Sequence, residues 1–210
     1  METLYNDKQL NILKIAEKLF ADKGYDGTSV RDIADEAGVN LAMISYYFGS
    51  KLKLMEALFE QRSLYVRMRV QDLLQEETES LDKINTLVDE YMDKMVEKQQ
   101  FVKIMLCEQV VNKNPVIIRL INEVRLKNAE AINKLIKDGQ KRGDFKKNVD
   151  VILLMSTLIG TVSQVMISLD HYKNFNKLQS LSKEQFQQQV FKKLRIHIKR
   201  IFKSILTDEA

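Results

Sequence analysis

Side chains able to do covalent or metal chemistry are sparse in this chain of 210 residues. Cys107 is the only cysteine, which excludes an intrachain disulfide and fits a reducing compartment. His171 and His197 are too few and too separate for a metal site. Neither has a glutamate three residues before it, since positions 168 and 194 are Ser and Leu, so the paired Glu-x-x-His motif of di-metal helical bundles is missing. No phosphate-cradling glycine loop and no nucleophile elbow occurs. These patterns argue against an enzyme and call for no cofactor and no metal. The chemistry left is non-covalent recognition. Asn40, Leu41, Ala42, Met43, Ser45, Tyr46 and Tyr47 crowd hydrogen-bonding and apolar groups into eight positions. Asn40 can pair with an adenine edge and Ser45 with several bases, while Ala42 and Met43 can touch thymine methyls.

The elements that must position this cluster are helices. One proline and seven glycines, with abundant Lys, Glu, Leu, Ile and Gln, predict long helices and no strands. Asn6 with Gln9, and Ser29 with Asp32, read as capping pairs. Gly24, Gly38 and Gly143 read as helix terminators, Gly24 in the left-handed conformation. Asn40 and Ser50 cap the third and fourth helices, the fourth running to about residue 77. Further helical patterns cover about 81–98, 101–112, 115–142, 149–172 and 183–206, making about nine helices in an all-α fold. Two short helices over 29–48, separated only by Gly38-Val39-Asn40, form a helix-turn-helix whose second helix enters the major groove of DNA. Ala34 allows the two helices to approach, Val39 plugs the turn, and Ile44 and Phe48 anchor the second helix from inside. Net charge is +4 overall. Residues 1–51 nevertheless hold six Lys and Arg against eight Asp and Glu, a net −2, so any grip on phosphate there comes from placed donors rather than a bulk field.

The run Gly27-Thr28-Ser29-Val30-Arg31-Asp32-Ile33-Ala34-Asp35-Glu36-Ala37-Gly38-Val39, followed by Ile44-Ser45-Tyr46-Tyr47-Phe48-Gly49-Ser50-Lys51 and Leu54, resembles the N-terminal domain of the tetracycline-repressor (TetR) family. The first helix, with Leu19-Phe20 and Gly24-Tyr25, fits as well, and the resemblance spans about residues 8–60. It implies a division into a DNA-binding domain over 1–51 and a helical effector-binding and dimerisation domain over 52–210. It also implies roles: Ser29 and Arg31 meet the DNA backbone, with Arg31 reaching a base; Tyr46 and Tyr47 lie on the phosphate-sugar backbone; Lys51 binds phosphate at a helix N-terminus. Leu52-Lys53 departs from the family's acid after Ser-Lys, and Lys53 offers a further phosphate contact. The apolar Leu41, Ala42 and Met43 leave part of the specificity to DNA shape.

The same resemblance makes the C-terminal half the seat of effector binding and dimerisation. Residues 151–169 lack any charge, which is long enough for a membrane span, but six Ser, Thr and Gln side chains and the flanking Asp150 and Asp170 favour a covered interface helix. Ser156, Gly160 and Gln164 lie at spacing four and let another helix approach; with Leu194, Ile198, Ile201 and Phe202 of the last helix they are the expected dimer interface. Lys192, Lys193, Arg195, Lys199, Arg200 and Lys203 read as the solvated outer face of that last helix. Met92, Met95, Phe101, Met105, Cys107, Met155, Ile159 and Met166 form a soft candidate lining for an apolar or aromatic effector. The expected protein is therefore a cytoplasmic, homodimeric DNA-binding regulator, with no membrane partner. It would be a repressor released from a palindromic double-stranded operator by a small molecule. The alternative is a DNA-binding regulator or organiser that answers to a protein partner and has no small effector.

Overall fold

The computed structural model describes residues 5–97, 99–109 and 114–208. Among the described residues ten helices follow one another: α1 (Asp7–Lys23), α2 (Val30–Ala37), α3 (Leu41–Phe48), α4 (Lys51–Gln75), α5 (Ser80–Glu97), α6 (Gln99–Cys107), α7 (Pro115–Arg142), α8 (Val151–Ile167), α9 (Leu169–Phe175) and α10 (Lys183–Leu206). No strand occurs among the described residues. The starts follow side-chain chemistry. Asn6 with Gln9, and Ser29 with Asp32, close reciprocal capping boxes. Asn40 accepts from the Ala42 amide, Ser50 from the Lys53 amide, and Asn114 from the amides of Val116 and Ile117, with Pro115 in the first helical position. Gly38 ends α2 in the left-handed region at φ 65° and ψ 33°. Gly24 also has positive φ but an extended ψ of 169°, so it turns the chain out of α1 without the expected left-handed cap.

The chain packs as two compact units. The first comprises Met1–Met68 and Glu97–Asn128. Its core joins Ile12, Leu13, Ala16, Leu19 and Phe20 of α1 to Ile33 and Ala34 of α2, Ile44 and Phe48 of α3, and Leu54, Met55, Leu58 and Phe59 of α4. Ile104 of α6 and Ile117, Ile121 and Val124 of α7 complete it. Ala34 is 1% exposed and Ile44 fully buried, as close crossing of two short helices demands. Glu17, 4% exposed, is held inside by Arg62, whose Nε donates to its carboxylate at 3.0 Å.

The second unit comprises Arg69–Val96 and Ala129–Ala210. Buried Val88 and Met92 of α5, Leu135 and Ile136 of α7, Leu154 and Val162 of α8 and a long stripe of α10 fill it. Three expectations change here. The single helix expected over 149–172 is two helices bent by 74°. The break falls at Ser168, whose hydroxyl donates to the Gln164 carbonyl at 2.6 Å. Leu194, Ile198 and Phe202 are buried within the chain's own unit and are therefore not free for a dimer partner; Ile201 is half-buried. Arg195 and Lys199 are not a solvated face either, for they pair with Asp93 and Asp89 of α5. The part of the expected 101–112 helix beyond residue 109 lies outside the described residues. No single described helix is long and apolar enough to cross a membrane.

Removing one partner of a buried ion pair strands the other. Arg62→Met, which strands the buried Glu17 carboxylate, is expected to lower the unfolding free energy by about 3 kcal/mol, read by urea denaturation, with Glu17→Ala costing less because the Arg62 side chain left behind keeps some solvent contact.

Candidate nucleic-acid interface

Helix α3 is anchored by its buried residues and offers the rest outward. Ile44 and Phe48 point inward, while Asn40, Leu41, Ala42, Ser45 and Tyr46 are exposed and Met43 is half-buried. Tyr46 is 84% exposed, the most open large side chain of the helix. Tyr47 packs against the core, edge-on to Tyr46 at 5.3 Å and to Phe48 at 6.4 Å between ring centroids. The two tyrosines thus differ: one ring is free to lie on a surface, the other stiffens the base of the helix and keeps only part of its surface open. Asn40 uses its carbonyl oxygen as the α3 cap, which leaves its amide N–H groups for a base edge. Ser29 and Arg31 are exposed at the start of α2. The Ser29 hydroxyl donates to Asp32 at 2.7 Å, and this bond, with one from the Ser29 amide, holds the Asp32 carboxyl below its usual range. Asp32 thereby stays ionised and caps α2 at any pH near neutrality.

The orientation of α2 and α3 depends on the preceding loop, residues 24–28. The Lys51 ammonium turns inward and donates to the carbonyls of Tyr25 at 2.9 Å and Thr28 at 3.0 Å, with the Tyr25 ring 4.3 Å beneath it. Two of its three N–H donors are thus committed to the protein, and the phosphate contact expected from the resemblance is left with the third. Lys53 pairs with Glu56 at 2.7 Å. Thr28, 1% exposed, donates its hydroxyl to the carbonyls of Leu19 and Gly24. A side chain at Gly27 would meet the Lys23 carbonyl oxygen at 2.2 Å, so the loop closes only over glycine. From the other side comes Glu108, 1% exposed, in a widened π turn at the end of α6; its carboxylate accepts from the Tyr25 amide at 2.9 Å. Burial, then the charges of Asp26 and Glu56, raise the Tyr25 phenol above its ordinary value, so it remains neutral under the ammonium.

Sequence reasoning missed Thr28, Tyr25 and Glu108. A buried threonine beside Gly27 was a local hint; nothing local marks a bond between residues 25 and 108. The candidate effector lining separates. Phe101 and Met105 pack against the core of the first unit, Phe101 edge-on to Phe59 at 5.0 Å, and Cys107 is half-buried on the same helix. Met92 and Met95 are buried in the second unit, where Met155, Ile159 and Met166 are half-buried. Two surface clefts of the first unit, of about 470 and 520 Å³, are lined by none of these residues. Among the expected interface residues, Ser156, Gly160 and Gln164 are exposed on α8.

Residues 12–58 match the family described as bacterial regulatory proteins, tetR family, and residues 59–190 match the YsiA-like protein C-terminal region. The fatty acid metabolism regulator protein of Bacillus subtilis is 21% identical over 159 residues, covering 76% of this chain and 81% of its own. The transcriptional repressor NicS of Pseudomonas putida is 30% identical over 142 residues, 66% of each chain. In fold, the fatty acid degradation regulator FadR of Bacillus halodurans aligns with a TM-score of 0.72 at 19% identity, covering 94% of this chain and 97% of that one. FadR of Bacillus subtilis, solved in complex with stearoyl-CoA, aligns with a TM-score of 0.66 at 17% identity, covering 90% and 96%.

Tyr46→Ala should leave stability within about 0.5 kcal/mol, because the ring supports nothing inside. The same change should lower affinity for duplex DNA about tenfold by fluorescence anisotropy, or about 1.4 kcal/mol. Lys51→Met should instead speed amide exchange at Tyr25 by about tenfold or more, read by native-state hydrogen exchange, as the loop loses its clamp.

Proposed function

The chain belongs to the TetR family of bacterial regulatory proteins, a DNA-binding transcription regulator, and we propose that it is a repressor released from a palindromic operator by a long-chain fatty acyl-CoA. The observation that carries the DNA-binding half is the surface of α3: a capped, glycine-terminated helix whose inner side is locked in the core and whose outer side exposes Tyr46, Ser45, Ala42 and Asn40. Contacts from Ser29, Arg31 and the free face of Tyr47 on the backbone, with Asn40 and Ser45 on bases, agree with that exposure. Few charges sit on this helix, so shape and deformability of the duplex carry part of the selectivity.

Two copies are needed to read a palindrome. Leu153, Ser156, Gly160, Gln164 and Ile167 are exposed along one side of α8 at steps of three and four residues, Leu153 by 65% and Ile167 by 67%. Such a stripe suits a second copy of itself: small residues at the centre permit close approach and apolar ends exclude water. The dimer contact is thus assigned to α8, with Ile196 from the outer side of α10, in place of the buried α10 stripe.

The effector class rests on the relatives named for fatty acid metabolism, one of them holding stearoyl-CoA. Release follows from the loop clamp. Any effector-driven shift of α6 withdraws the Glu108 carboxylate from the Tyr25 amide, and α2 with α3 then loses its fixed pivot. Effector energy becomes a loss of operator affinity through a shared element.

DNA selected from a random duplex pool provides the test. Binding should fall steeply with salt, in proportion to the phosphates contacted, and stearoyl-CoA should weaken it at least about fivefold. Glu108→Gln should keep DNA binding yet blunt the response to stearoyl-CoA. No selected sequence would contradict the regulator reading. Selected DNA that no acyl-CoA releases would return the partner-responsive alternative.

A further inference from the structure

Lys83, on the second turn of α5, is 1% exposed, and its Nζ meets no acceptor among the described residues. A buried ammonium with no partner is costly, because burial strips its water and nothing replaces it. Several acids on and around α5 in the same unit are already committed. Asp89 and Asp93 hold Lys199 and Arg195, Glu90 and Glu76 hold Arg69, and Asp144 accepts the Ser80 hydroxyl at 2.6 Å one turn before Lys83. On another flank of α5, Asn85 Oδ1 is likewise buried and without a donor. The part-buried cations Arg69, Arg195 and Lys199 each have an acid, while the more deeply buried Lys83 ammonium has no acceptor, an arrangement suited to an anion from outside the chain.

We infer that Lys83 is the residue that holds the anionic group of the effector, a carboxylate or a phosphate attached to a long apolar chain. This rests on the acyl-effector reading above and sharpens it. Met92 and Met95, further along α5, are buried, unbranched and able to re-pack around a chain that follows its charged end inside. The charge gives selectivity: a neutral chain of equal length leaves Lys83 unpaired and gains nothing from it.

The test uses the full chain with three probes of one chain length: stearoyl-CoA, stearate and 1-octadecanol, each titrated calorimetrically and scored for release of DNA. Lys83→Met removes the charge at similar volume, and Lys83→Arg keeps it. For Lys83→Met we expect at least a tenfold loss of affinity for the anionic probe that the wild type prefers, with octadecanol binding unchanged. The unliganded protein should melt about 2–4 °C higher, as an unpaired buried charge is gone. Lys83→Arg should bind the anion within a few fold of wild type. Preference for stearate identifies the carboxylate and preference for stearoyl-CoA the phosphates. If Lys83→Met unfolds, Lys83→Gln is read in its place. Equal anion affinity in wild type and the uncharged variant overturns the inference while the acyl-effector reading stands. A wild type that binds only octadecanol overturns the inference alone, and one that binds none of the three overturns both.

Discussion

Everything that could touch DNA here hangs from one short loop held by opposite charges on two sides. Lys51 grips the carbonyls of Tyr25 and Thr28 while the buried Glu108 carboxylate takes the Tyr25 amide. Each bond joins a lysine or glutamate side chain to a backbone group in a part-buried setting, where such hydrogen bonds are stronger than in open water. The next residue after the loop is Ser29, the cap of α2, and α3 follows after a three-residue turn. A loop without freedom fixes the start of α2, and the Ala34, Val39 and Ile44 packing carries that constraint to α3. Lys51 is therefore a positioning residue first, with one remaining donor for phosphate.

This arrangement explains how a reading head with more acids than bases can still serve DNA. Its positive charge is placed and not spread. Asp32 is tied to Ser29, Glu36 to Lys18 and Glu17 to Arg62, so three carboxylates in and beside the helix-turn-helix are engaged by donors. Arg31 and the outer side chains of α3 are exposed. The C-terminal unit shows the complementary design: charges bridge α5 to α10, apolar residues fill the interior, and the exposed apolar groups are concentrated on α8.

Caps and terminators made the helices legible from sequence because their chemistry is local: Asn6, Ser29, Asn40 and Asn114 each bond a backbone amide two or three residues on. The helix-turn-helix was legible for the same reason, being twenty consecutive residues with a fixed pattern. The α10 stripe was legible as a face that must be covered, but amphipathicity does not say whether the cover is the same chain or a second copy. Leu194, Ile198 and Phe202 are covered by their own chain, and the surface left open is on α8. The break at Ser168 lies in a charge-free run with no proline and no glycine at the bend, so composition does not reveal it. The Glu108 bond spans 83 residues of sequence, and Lys83 lies in a pattern indistinguishable from a solvated lysine until the helices pack around it.

The central claim is that Lys51 and Glu108 act on DNA through the same loop. A double-mutant cycle with Lys51→Met and Glu108→Ala, scored by operator affinity at fixed salt, tests it most directly. Shared action predicts that the double variant loses less than the sum of the two single losses, with a coupling of about 1 kcal/mol or more. Losses that add within about 0.3 kcal/mol would mean the two side chains work independently, and the clamp would not be what orients the reading helix.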